Sequence, residues 1–255
     1  MKILQNDKSL GENKKTLGEL IDYHLEFLLP NKEKNKQKIL EICHTGKFLM
    51  LLGNNFTIDQ LFEKPDFILS DGNERIGLEH QILIEEDIKE KEGFFENLFI
   101  IAGNELNYDS EVPNFLANCY LYSEINYKLN QKASIISQIK TVVKEYVLND
   151  ILIENPIIER ISIMPHSHKH ISPNFGAWWQ RKLTAKHITD SIFKKEHKIA
   201  TYKINGIDKL WLLIVIGSLG ESSFEIDENL RINIVTEFDK VFILEDFNNK
   251  LYELK

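Results

Sequence analysis

Cysteine is scarce in this 255-residue chain, which carries only Cys43 and Cys119. Two thiols build neither a disulfide framework nor a cysteine-rich zinc site, and a reducing compartment is the natural reading. Glycine and proline are scarce too, at 12 and 6 residues, so long flexible linkers are not expected. The longest apolar run, Leu210 to Gly217, is far short of the ~20 residues that cross a bilayer. The N-terminal stretch MKILQNDKSLGENKK lacks the apolar core of a signal peptide. A cytoplasmic protein without a membrane partner is expected. Positive charge is also in short supply, with 31 Lys and Arg against 39 Asp and Glu and a formal net charge of −8. That balance argues against a protein that coats DNA non-specifically, because phosphate contacts need Lys and Arg. It leaves room for an enzyme with an acidic metal site and a local basic patch, which the Lys-rich stretch from Lys182 to Lys198 could supply.

What is present reads as an ordinary globular protein, 43% hydrophobic and 27% charged, long enough to bury a substantial core. Thr16 and Glu19 have capping-box spacing. Leu17, Leu20, Ile21, Leu25 and Leu28 then follow the helical period up to Pro30. A second helix is expected from about Glu33 to His44, with Gly46 as its stop. Asp66 to Leu69 and Ile76 to Ile84 read as two strands joined by the turn chemistry of Asp71, Gly72, Asn73 and Glu74, hence as a hairpin. Residues from about 86 to 150 read as a mostly helical insertion, its clearest helix starting near Ser123. Strands are expected at Ile157 to Met164 and Leu210 to Ile216, a helix at Lys182 to Lys198, and a hairpin around Asn248 and Asn249. The order predicts an α/β (α+β) protein with a mixed central sheet flanked by helices, as one domain over residues 1–255. The insertion could recognise DNA, form a homodimer or merely pack.

The stretch PDFILSDGNERIGLEHQ, residues 65–81, carries the chemistry. Side chains alternate between the faces of a strand, so Glu79 and Gln81 share one face while Leu78, His80 and Ile82 share the other. The hairpin brings Asp66 onto the neighbouring strand. Two carboxylates and an amide oxygen at one end of a small sheet suit a hard cation such as Mg²⁺ or Mn²⁺. Such a cation polarises a phosphodiester and lowers the pKa of an attacking water. The bland reading is a hairpin whose polar residues face water.

Pro65-Asp66, followed after a hairpin by Glu79-His80-Gln81, resembles the active site of the PD-(D/E)XK nuclease superfamily. That motif is a Pro-Asp, a variable gap, then an acidic residue, any residue and a lysine. The resemblance covers this hairpin and the general order of helices and strands. It implies a restriction-endonuclease-like fold, metal binding by Asp66 and Glu79, and hydrolysis of nucleic acid, with DNA as the expected substrate. Gln81 stands where the lysine usually stands and would position the attacking water or the scissile phosphate. Gln brings no positive charge. On the later helix Ala185, Ile188, Ile192 and Ile199 form an apolar stripe, and Lys195 falls on it by spacing. Lys195 thus resembles the migrated lysine of some superfamily members, with Lys198 as the next choice. Glu41 or Glu33 could add a further carboxylate, as many members place one on the helix before the sheet. The Lys-rich helix, Tyr202 and the buried strand after it are reminiscent of bacterial nuclease-like proteins of this superfamily. A role in bacterial defence is what the resemblance implies. The alternative is a catalytically inactive nuclease-like module that binds a protein or nucleic-acid partner. A lysine reaching Asp66 and Glu79 is what would separate the two.

Other clusters carry weaker signals. His166, His168 and His170 alternate, so an extended chain would put three imidazoles on one side, as a Zn²⁺ site needs. A polar loop between Pro165 and Pro173 is the plainer reading. Trp178 and Trp179 could stack on unpaired bases and read more simply as core anchors. For Lys195 the plain reading is a lysine snorkelling at the rim of an apolar face.

Overall fold

The structure is a computed structural model, and it describes residues 1–4, 10–125, 127–176, 180–202, 206–207, 209–217, 220–227 and 229–255. It is a mixed α/β protein whose chain divides into two compact units, Met1–Glu85 with Gln180–Lys255, and Glu86–Trp179.

The first unit holds a seven-stranded sheet. Its strands are β1 (Lys2–Leu4), β2 (Thr57–Leu61), β3 (Phe67–Ser70), β4 (Arg75–Ile82), β9 (Lys209–Ile216), β11 (Lys240–Glu245) and β12 (Lys250–Glu253), in the order β1-β12-β11-β9-β4-β3-β2. β9 lies in the middle, parallel to both β4 and β11. A parallel strand covered on both faces reads as one continuous apolar run, and LWLLIVI in β9 is buried throughout. On one face α1 (Leu10–Glu26) and α2 (Lys32–Leu52) cover Leu78, Trp211, Leu213 and Phe242. On the other, α5 (Ala185–Glu196) and α6 (Ile199–Tyr202) cover Leu210, Leu212, Ile214 and Ile243. Each such side chain contributes roughly 1.5–3 kcal/mol when taken out of water. The β3–β4 hairpin has the expected antiparallel register, Phe67 opposite Leu78 and Ser70 opposite Arg75.

The second unit contains α3 (Glu86–Asn107), β5 (Phe115–Leu121), α4 (Lys132–Asn149), β6 (Ile158–Pro165) and β7 (His170–Asn174). Its strands pair in the order β6-β5-β7. They pack with the two helices around Phe95, Phe99, Cys119, Ile139 and Val143. Burial pushes the Cys119 thiol up to about 12, so it serves as a small apolar side chain.

Several local expectations need correction. Thr16 does not cap α1 but lies inside it, its hydroxyl donating to the Glu12 carbonyl at 2.9 Å. Gly46 does not stop α2, which runs on to Leu52 and ends at Gly53 in the left-handed conformation, φ 69°. Gly46 instead lets α1 approach, since a Cβ there would lie 2.3 Å from Ile21 Cγ2. The strand expected at Ile157 to Met164 belongs to the three-stranded sheet of the second unit. The clearest helix of the insertion begins at Lys132 rather than near Ser123, and part of the expected loop after His166 is β7. The remaining strands, β8 (Arg181–Lys182) and β10 (Phe224–Glu225), form a short parallel pair.

Candidate active site

Asp66 precedes β3, and Glu79 and Gln81 lie on β4, facing the α5–α6 layer. The alternation is fixed by the opposite face, where Phe67, Leu69, Ile76 and Leu78 pack against α2. A glycine secures the approach. A Cβ on Gly77 would lie 2.8 Å from Pro65 Cγ and 2.9 Å from Leu210 Cδ1. Only a bare backbone at 77 lets the Pro65 ring settle there and hold the Asp66 carboxylate beside Glu79. Asp66 Oδ2 then accepts the His80 backbone N–H at 2.8 Å.

Lys195 completes the cluster. Thr184 caps α5, its hydroxyl accepting the His187 N–H at 3.3 Å. This sets the phase in which Ile188, Ile192 and Lys195 face the sheet. The Lys195 ammonium donates to Glu79 Oε1 at 2.5 Å and to the His80 carbonyl at 3.1 Å. Glu79 is 4% exposed, so this ion pair lies well inside the protein, where charge is not screened by water. Lys198 is exposed beyond the end of α5.

The electrostatics follow from burial. Asp66 is pushed up to about 6, chiefly by desolvation and then by the charge of Glu79, against the pull of the His80 N–H and Lys195. Tyr202, at the end of α6, has its phenol pushed up by burial and by Glu79. On the other face of β4, His80 Nε2 and His44 Nδ1 share a hydrogen bond of 3.0 Å. Desolvation lowers both imidazoles, His80 well below its usual range. They stay neutral, buttressing the strand rather than adding charge to the site.

Glu41 on α2 reaches the rim of the cluster. Its carboxylate accepts from Lys38 at 3.2 Å and Gln37 at 3.1 Å, and its charge also raises Asp66. Lys38 in turn donates to the Asp66 carbonyl at 3.2 Å. Glu33, two turns earlier, is exposed. A pocket of about 380 Å³, lined by Lys34, Lys38, Glu41, Phe62 and Asp66 among others, opens on this side.

The residues fit a hard cation. Asp66, Glu79 and Gln81 offer an all-oxygen set, which suits Mg²⁺ or Mn²⁺. Glu79 Oε2 and Gln81 Oε1 are buried without a hydrogen-bond partner, a costly arrangement that a cation would relieve. Among the described residues no three His, Cys, Asp or Glu side chains group to hold a metal. The set would therefore lean on the Gln81 amide and on main-chain oxygen.

His166 and His168 place their rings 4.2 Å apart, and His170 opens β7. These three do not gather into a three-ligand site. In the Lys-rich stretch, Lys186 is paired with Asp190 at 2.5 Å and Lys182 lies 3.8 Å from Asp227. Trp178 and Trp179 lie outside the described residues. Sequence reasoning did not flag His44, Lys38 or the hydroxyl of Tyr202, whose phenol feels the Glu79 charge. The chain matches no family model, no curated protein and no solved structure. No helix among the described residues is long and apolar enough to cross a membrane.

Proposed function

We infer that this protein is a metal-dependent phosphodiester hydrolase acting on nucleic acid, with DNA as the first substrate to test. The observation that carries the reading is the Lys195 ammonium set against Glu79 Oε1 and the His80 carbonyl, which supplies the positive charge that Gln81 lacks. Asp66, Glu79 and Gln81 would hold Mg²⁺ or Mn²⁺. A divalent cation bound there would polarise a phosphoryl oxygen and lower the pKa of the attacking water.

The chain's own residues do the rest. Lys195 stabilises the charge that builds on the phosphoryl oxygens, from a buried position that costs no reorganisation during reaction. The Gln81 amide orients the water or the scissile phosphate. His80 fixes Asp66 and Lys195 at once through its main-chain N–H and carbonyl. The resemblance of residues 65–81 to a PD-(D/E)XK centre supports the same reading, and with it a restriction-endonuclease-like fold.

The test is cleavage of mixed DNA and RNA substrates with Mg²⁺ or Mn²⁺. Cleavage by wild type that Asp66→Ala and Glu79→Ala both abolish is expected. Folded wild type that cleaves nothing under either cation would overturn the catalytic reading in favour of a binding module.

A further inference from the structure

Two buried polar atoms on the two sides of the candidate site lack partners. Tyr202 is 2% exposed, and its hydroxyl makes no hydrogen bond of acceptable geometry. Glu79 Oε2 is likewise without a partner. Tyr202 packs in the same apolar cluster as Leu212, the residue that β9 sets opposite Glu79. Glu79 is close enough for its charge to act on the phenol, and the Asp66 charge adds to it. Buried hydroxyls in folded proteins find partners. A donor on α6 thus lies within reach of the charge of an acceptor on β4, and neither has a hydrogen-bond partner among the described residues.

We propose that Tyr202 is a positioning residue of the Asp66/Glu79 centre, its hydroxyl donating to Glu79 Oε2 and fixing the face that this carboxylate turns to a divalent cation. The proposal rests on the reading of that centre as a cation site. Lys195 already tethers Oε1. With Tyr202 on Oε2 the carboxylate is held at both oxygens and cannot rotate. Each oxygen keeps a second lone pair, so the tethers do not use up its capacity for a cation. A side chain that holds a metal ligand in this way typically contributes 10–100-fold to metal affinity, on the order of the ligand's own second contacts.

Tyr202→Phe removes the hydroxyl and keeps the ring. The measurement is calorimetric titration of Mn²⁺ into wild type, Tyr202→Phe and Glu79→Gln, with urea unfolding curves alongside. The expected result is Mn²⁺ affinity about tenfold weaker in Tyr202→Phe, in a variant that still folds but with a lower unfolding midpoint in chelator, because one hydrogen bond to a buried carboxylate is lost. Equal affinity in wild type and Tyr202→Phe, with Glu79→Gln weakened, overturns the role of Tyr202 and leaves the cation site standing. No Mn²⁺ binding by folded wild type overturns both together. Should Tyr202→Phe fail to fold, tyrosine ¹³Cζ spectra of wild type and Glu79→Gln decide the matter. One buried tyrosine signal that shifts on adding Mg²⁺ in wild type alone is expected, and no such shift overturns the assignment.

Discussion

Replacing Asp66 by asparagine should stabilise the folded protein at alkaline pH while removing a ligand from the proposed centre. The Asp66 carboxyl rises from its ordinary value of 3.8 to about 6 in the fold. At ~1.36 kcal/mol for each pH step between those two values, the ionised carboxylate costs the folded state at most about 3 kcal/mol. The folded-state value is raised, so the fold binds this proton more tightly than the unfolded chain does. Its favourable contribution is complete below pH 3.8 and is lost as pH rises through 6. Asparagine carries no charge at any pH, and its amide oxygen can still accept the His80 N–H. In chelator, the variant should therefore exceed wild type by about 3 kcal/mol at pH 8 and by about half as much at pH 5. Urea unfolding of both proteins at the two pH values reads the difference. A variant no more stable than wild type at pH 8, or an advantage equal at pH 5 and pH 8, would refute the electrostatic reasoning.

Lys195→Met leaves Glu79 charged and buried with no cationic partner, so a loss of about 3 kcal/mol in unfolding free energy is expected. Combining it with Glu79→Gln should restore most of that loss in the same urea assay. Gly77→Ala pushes a methyl into Pro65 and Leu210 and should cost about 1–3 kcal/mol by overcrowding, read as a lower unfolding midpoint. The neutral His44–His80 pair predicts an acid limb. Both imidazoles are lowered in the fold, so their contribution is intact above pH 6.5 and lost as pH falls below it. His44→Gln, which can still bond to His80 Nε2, should make the decline in stability between pH 7 and pH 5 shallower.

The hairpin was legible because its signals are local. Alternation in β4 assigns Glu79 and Gln81 to one face and His80 to the other, and the turn at Asp71–Glu74 fixes the register. Lys195 was legible because the helical period puts it in line with Ile188 and Ile192. What stayed hidden depends on packing between distant segments. Gly46 looks like a helix stop in isolation, but its lack of a Cβ serves the contact with Ile21 on α1. Strand β2 is five residues of mixed polarity, and both β2 and β5 pair with partners that no local pattern names. The segment from Ile157 reads correctly as a strand, yet nothing in it says which sheet it joins. The His44–His80 bond links residues 36 positions apart. The orphaned oxygens of Glu79, Gln81 and Tyr202 are visible only once the layers are in place.

The most direct test of the central claim is an anomalous difference map from a crystal of the protein soaked in Mn²⁺. A peak bounded by the Asp66 and Glu79 carboxylates and the Gln81 amide oxygen, absent from Glu79→Gln crystals, is the predicted result. A map with no peak there, or with its only peak at His166, His168 and His170, would contradict the account.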